Sequence, residues 1–142
     1  MTTNRGALGA TRELTHAECL EHLRLGGVGR LACASDGQPE IFPVDFVLDG
    51  DRVVIRTDAG TKLAHATLDR VAFEVDGRSL DDRGWWSVVV KGTAREITTA
   101  LDDASVRERL LPLAPAGASP GDHWIRIVPR EITGRLIIGR GE

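Results

Sequence analysis

Most apolar residues of this chain fall in short β-prone runs separated by turn-forming residues, and only three segments carry a helical signature. Thr15 and Glu18 have the spacing of a capping box. Ala17, Leu20 and Leu23 with Leu25 can share one side of a short helix over 15–25, which Gly26-Gly27 ends. Apolar runs at 28–34 and 41–48 flank Ser35-Asp36-Gly37, the chemistry of a tight hairpin. Asp49-Gly50 before Arg52-Val53-Val54-Ile55-Arg56-Thr57 predicts a second hairpin, so three strands follow one another as a meander. Helix formers over 59–68 predict a short helix, and 71–75 alternates like a half-buried strand. Asp81-Asp82-Arg83-Gly84 is turn material before a long β run at 85–97, in which Gly92 marks a bend or bulge.

Leu101, Ala104, Leu110 and Leu111 with interleaved charges predict an amphipathic helix. The Pro-, Ala- and Gly-rich stretch 111–121 is a loop, and two last strands are expected at 124–128 and 131–138. The order is α, β, β, β, short α, β, β, α, β, β. Strands joined mostly by short turns form an antiparallel sheet, and there are enough of them to close into a small barrel flanked by helices.

The chain has 142 residues, 42% of them hydrophobic, which suffices for one core and not for two ordinary domains. A flexible N-terminus over 1–11 and a single domain over 12–142 are expected. The net charge is -3 and the arginines are scattered among acids, without the basic stripe that nucleic acid binding requires. No apolar run approaches the ~20 residues of a membrane helix and Met1–Thr11 lacks an apolar core, so a cytoplasmic protein is expected. Cys19 and Cys33 lack metal-ligand spacing and read as reduced core residues. His16, His22, His65 and His123 are dispersed, and no metal is assigned.

Lys62 and Lys91 are the only lysines, so each is informative. In Arg56-Thr57-Asp58-Ala59-Gly60-Thr61-Lys62-Leu63 a strand ends, turns through Gly60 and enters a helix near Thr61. Backbone N–H groups at that helix start, two hydroxyls and the charges of Arg56 and Lys62 can converge on a phosphate. Taken alone, the segment reads at least as readily as solvated charges with Thr61 as a helix cap. Lys91 reads as a charge that solvates its strand.

Five segments set this one in context: Gly29-Arg30-Leu31-Ala32; the run from Gly37 through Pro43-Val44-Asp45-Phe46; Arg56-Thr57 with Gly60-Thr61-Lys62-Leu63; Trp86-Ser87-Val88-Val89-Val90-Lys91-Gly92; and the run from Trp124 to Pro129 with Ile132-Thr133-Gly134-Arg135. In order and spacing they resemble the pyridoxamine 5'-phosphate oxidase-like family from about Thr15 to the C-terminus. The resemblance implies a mainly β fold, the FMN-binding split antiparallel β-barrel, acting as a homodimer with FMN, or alternatively the deazaflavin F420, in a groove between subunits.

Carried onto this chain, it implies that Thr57, Thr61 and Lys62 hold the cofactor phosphate with Arg56 beside them. It sets Pro43, Val44, Asp45 and Phe46 along the flavin ring edge. Trp85 and Trp86 divide between interface and cofactor, with Trp86 and Ser87 assigned to the cofactor, and Arg135 contacts cofactor or substrate. True pyridoxamine phosphate oxidases continue after the Gly-Arg with an Arg-Leu-His type segment; here Leu136-Ile137-Ile138-Gly139-Arg140 follows, which sets this chain apart from vitamin B6 oxidation. The expectation is a flavin-dependent oxidoreductase acting on a small planar substrate, with a non-enzymatic flavin or tetrapyrrole binding protein as the alternative.

Overall fold

A computed structural model describes residues 10–57, 69–79, 81, 83–97 and 123–139. The expected helices at 59–68 and 101–111, the loop at 111–121, and Thr61 and Lys62 lie outside these residues. Within them the chain forms β1 (Ala10–Glu13), α1 (His16–Arg24), β2 (Gly27–Ser35), β3 (Gln38–Asp49), β4 (Arg52–Thr57), β5 (Arg70–Arg78), β6 (Gly84–Glu96) and β7 (His123–Ile138). No described helix is long and apolar enough to cross a membrane.

The first helix begins where its cap predicts. Thr15 Oγ1 accepts from the Glu18 amide at 3.1 Å, and Glu18 Oε1 accepts from the Thr15 amide at 2.8 Å. Arg12 of β1 adds a two-pronged contact to the same carboxylate, at 2.9 and 3.0 Å. This contact first, and the Thr15 amide second, pull the Glu18 carboxyl down to about 2.

Both hairpins close through two-residue loops. Asp36 and Gly37 have φ of 51° and 78°, the mirror-image turn that matches strand twist, between the partners Ser35 and Gln38. In the second hairpin Asp49 pairs with Arg52, so the loop is Gly50-Asp51; Asp49 ends β3, and Gly50 takes the positive φ of 65° at the first turn position.

The strands are antiparallel throughout, in the order β1-β7-β4-β3-β2-β5-β6, and β6 pairs again with β7. Strands β2 to β7 therefore close a ring, the split barrel, with β1 added along the second half of β7. Leu31, Phe46, Val53, Ile55, Phe73, Val88, Val90, Ile125 and Ile127 fill it and are almost fully buried. Cys19 and Cys33 are free, buried thiols, and burial raises the pKa of both. A second cluster, Val54, Ile97 and Trp124 with Val47, lies on the outer side of β3, β4 and β7.

The expected strands at 124–128 and 131–138 are one continuous strand of 16 residues. Lys91 pairs with Glu131 and Gly92 with Pro129, so Arg130 is the extra residue of a bulge. The bulge reverses the alternation: odd-numbered Ile125 and Ile127 face the core before it, and even-numbered Ile132 and Leu136 pack against the core after it. Gly92 is required there, because a Cβ would lie 2.2 Å from the Val128 carbonyl oxygen. β1 is fully exposed and takes up Ala10 and Thr11, within the segment expected to be flexible.

The helix seats on the barrel at Gly134. A Cβ at this residue would lie 2.8 Å from Cys19 Sγ, 2.9 Å from Leu14 Cδ1 and 3.0 Å from the Ser87 carbonyl oxygen. Gly134→Ala therefore overpacks the junction and lowers stability by about 1–3 kcal/mol, read as a reduced midpoint of urea unfolding. The lowered Glu18 carboxyl sets an acid dependence. Its stabilising contribution is fully present above the unfolded-state pKa and is lost as pH falls toward about 2. The thermal midpoint of the wild type should drop across that window, and that of Glu18→Gln should drop less.

Candidate functional site

The sequence-predicted residues fall into two groups, one on β3 and β4 and one on β6 and β7. In the first, alternation points Pro43 and Asp45 outward and Val44 and Phe46 into the core. Phe46 is 1% exposed and meets Phe73 edge to face, with centroids 4.9 Å apart, so neither it nor Val44 offers a side chain to a ligand. Asp45, opposite Val28, is exposed. Only Phe46–Asp49 of β3 pair with β4. Among the described residues no strand pairs with that edge of β3 from Gln38 to Asp45. It is therefore a stretch of barrel where main-chain groups can bond a ligand, except at the amide-less Pro39 and Pro43.

Arg56 and Thr57 end β4, opposite Trp124 and His123. Thr57 is buried and Arg56 half-buried, and each already has an interaction. Beside Thr57, His123 Nδ1 lies 2.5 Å from Glu96 Oε1, so a histidine–carboxylate pair borders the strand end assigned to phosphate. Sequence reasoning missed this pair because 27 positions separate its members; only the register of β6 and β7 joins them.

In the second group, Ser87 and Arg135 are Cα partners on neighbouring strands. They line an outer cleft of about 630 Å³ with Glu13, Val89, Thr133 and Ile137. Trp86 points the other way. It is 7% exposed, stacks on His22 of α1 with centroids 4.1 Å apart, and donates from Nε1 to the Arg78 carbonyl oxygen at 3.2 Å. Packing against the indole partly buries His22, which lowers its pKa. Trp85 is the exposed member of the pair, at 50%, with the Arg78 guanidinium 4.8 Å from its ring centroid. Trp86, assigned to the cofactor from the sequence, thus turns its side chain inward, while Trp85 and Ser87 flank it and share the outward side of the strand.

The two groups lie near opposite ends of β7. Thr57 pairs with His123, the first residue of β7, and Ser87 pairs with Arg135, twelve residues on. At ~3.3 Å per residue that is up to about 40 Å of strand. The bulge at Arg130 lies between them, so the two groups sit on separate stretches of the strand.

A closed antiparallel barrel with a strand edge open on one side and a polar outer cleft on the other is the split-barrel class. The family model for pyridoxamine 5'-phosphate oxidase matches residues 15–136, and the chain belongs to that family. An uncharacterised protein of Mycobacterium tuberculosis is 41% identical over 91 residues, covering 63% of this chain and 78% of that protein. Among solved structures, the FAD-binding protein of Mycobacterium smegmatis is 35% identical, with a TM-score of 0.72 over 87% of this chain and 98% of that one. A FAD-binding protein of Mesorhizobium loti is 28% identical, with a TM-score of 0.71 over 90% and 97%.

The opposite orientations of the tryptophans predict opposite costs. Trp86→Ala should lose about 3–5 kcal/mol by urea unfolding, as for other buried aromatic truncations. Trp85→Ala should stay within about 1 kcal/mol, the scale of an exposed cation–π contact.

Proposed function

We propose that this chain binds a flavin nucleotide in a groove between two copies and uses it for oxidoreduction of a small planar substrate. The observation that carries the reading is the likeness, at 35% identity over nearly the whole barrel, to a FAD-binding protein. A dimer fits the arrangement: the β3–β4 group and the β6–β7 group lie toward opposite ends of β7, and a second copy set against the first can bring its own β6–β7 group to the β3–β4 group.

The residues present fit such a cofactor. The edge of β3 before Phe46 offers main-chain groups to the pyrimidine side of a flavin ring, with Asp45 exposed beside it. Thr57, with Thr61 and Lys62 further on, supplies hydroxyl and ammonium donors for a phosphate, and Arg56 adds charge. Ser87 and Arg135 line the outer cleft that a second copy would bring to the groove, and exposed Trp85 can wall it. A bound flavin supplies hydride and electron transfer at its ring. The protein's part is to hold the phosphate, fix the ring edge by hydrogen bonds, and keep water from the ring face. FAD stands first among candidate cofactors because the relatives of 35% and 28% identity bind it; FMN and F420 are the other arms of the test.

The test is the absorption spectrum of purified protein between about 300 and 550 nm after adding FAD, FMN or F420 and removing excess by gel filtration. A retained flavin band on a particle of twice the monomer mass is expected. Retention of none of the three, or retention by a monomer, overturns the reading. Lys62→Ala should weaken the retained cofactor by about 1.5–3 kcal/mol, a charge-assisted contact, without shifting the melting temperature. Turnover of an acceptor by the reduced protein separates an enzyme from a flavin carrier.

A further inference from the structure

The β7 bulge borders a second cleft, of about 690 Å³, that none of the residues assigned to flavin lines. β2 pairs with β5 only from Arg30 to Ala32, and beyond Ala32 the two strands part. The cleft lies at this parting. Ala32, Ala34 and Ala72 give it a small, apolar floor, and Arg70, Lys91 and Arg130 surround it with positive charge. Three cations against one acid, Glu131, is a marked local excess in a chain of net charge -3.

Among the described residues no acid pairs with Arg70 or Arg130, and Lys91 is only 3.7 Å from Glu131 with both side chains more than half exposed. Nor is their placement incidental. Arg130 is the extra residue of the bulge, Lys91 borders the same register shift, and the shift is held by a glycine that tolerates no Cβ. Bulges re-aim side chains and concentrate near ligand sites.

We propose that this cleft binds the diphosphate of a nucleotide, with the flat base on the alanine floor. Two guanidiniums in fork geometry and one ammonium suit phosphate oxygens. The volume falls within the range of small-molecule sites, and the floor accepts a planar ring. The same chemistry has two sources, a free nucleoside diphosphate or the adenosine diphosphate half of a FAD whose flavin-side phosphate is held by Thr57 and Lys62 of a second copy.

Titration calorimetry of ADP into the full-length protein at low salt tests the proposal. Arg70→Ala with Arg130→Ala should weaken ADP by about tenfold or more, as the loss of charge-assisted contacts requires. Both arginines are exposed, so the thermal midpoint should be unchanged. Ala72→Phe fills the floor while leaving the charges intact and should also weaken ADP. If the wild type prefers FAD over FMN and the double variant loses that preference, the site holds the adenylate half of FAD. If ADP binds FAD-loaded protein undiminished, the ligand is a free nucleotide. No ADP binding, or binding untouched by both sets of variants, overturns the proposal; a change in oligomeric state with ADP affinity unaltered does so too and assigns the face to an interface between copies. ADP binding in a protein that retains no flavin would uphold this site while the flavin reading alone fails.

Discussion

The pairing of β7 with β6 along its whole length is the contact on which the rest of the barrel rests. β7 closes the ring by taking β4 on its first half, and it adds β1 on its second half while keeping β6 on the other side. A strand of 16 residues cannot hold one alternation around so tight a curve, and the single extra residue at Arg130 lets it bend and switch parity. Gly92 across the ladder makes room for that switch. Without it, either Ile125 and Ile127 or Ile132 and Leu136 would face solvent. The seat of α1 at Gly134 lies beyond the bulge and depends on the same parity, since Gly134 must face Cys19 and Leu14.

Features that depend on a few adjacent residues were legible in the sequence. The Thr15–Glu18 box, the Asp36-Gly37 turn and the disturbance at Gly92 are local chemistry and appear where the pattern places them, and the second hairpin closes one residue later than read, at Gly50-Asp51. Features that depend on register were not. Two strands were read, at 124–128 and 131–138, whereas the ladder to β6 carries one strand through Pro129 and Arg130. β1 has no apolar alternation, and its conformation comes from the edge that β7 offers. The orientation of the tryptophans turned on a parity that a sequence leaves open: Trp86 faces inward with Val88 and Val90, and helix α1 covers it through His22.

The candidate site divides in the same way. Its residue types and order were readable, and they placed the chain in its family. Their distribution was not readable, because the distance between Thr57 and Arg135 is a property of the strand that separates them. Their placement toward opposite ends of β7 is what gives a second copy its place in the proposed site. Val44 and Phe46 belong to the list through their backbone alone, their side chains being spent on the core.

The bulge also sets the relation between the two outer clefts. Lys91 and Glu131, Cα partners beside the register shift, line both. At 3.7 Å and with both side chains exposed, they form a weak pair whose members can each turn to either side. In the proposed complex an anion in the cleft of Arg70 and Arg130 would draw Lys91 toward it and leave Glu131 to the cleft of Ser87 and Arg135. There the freed carboxylate can compensate Arg135 or repel a second anion. Occupancy of one cleft would therefore alter the charge of the other through two side chains and without movement of the backbone, which the closed ladder around them resists.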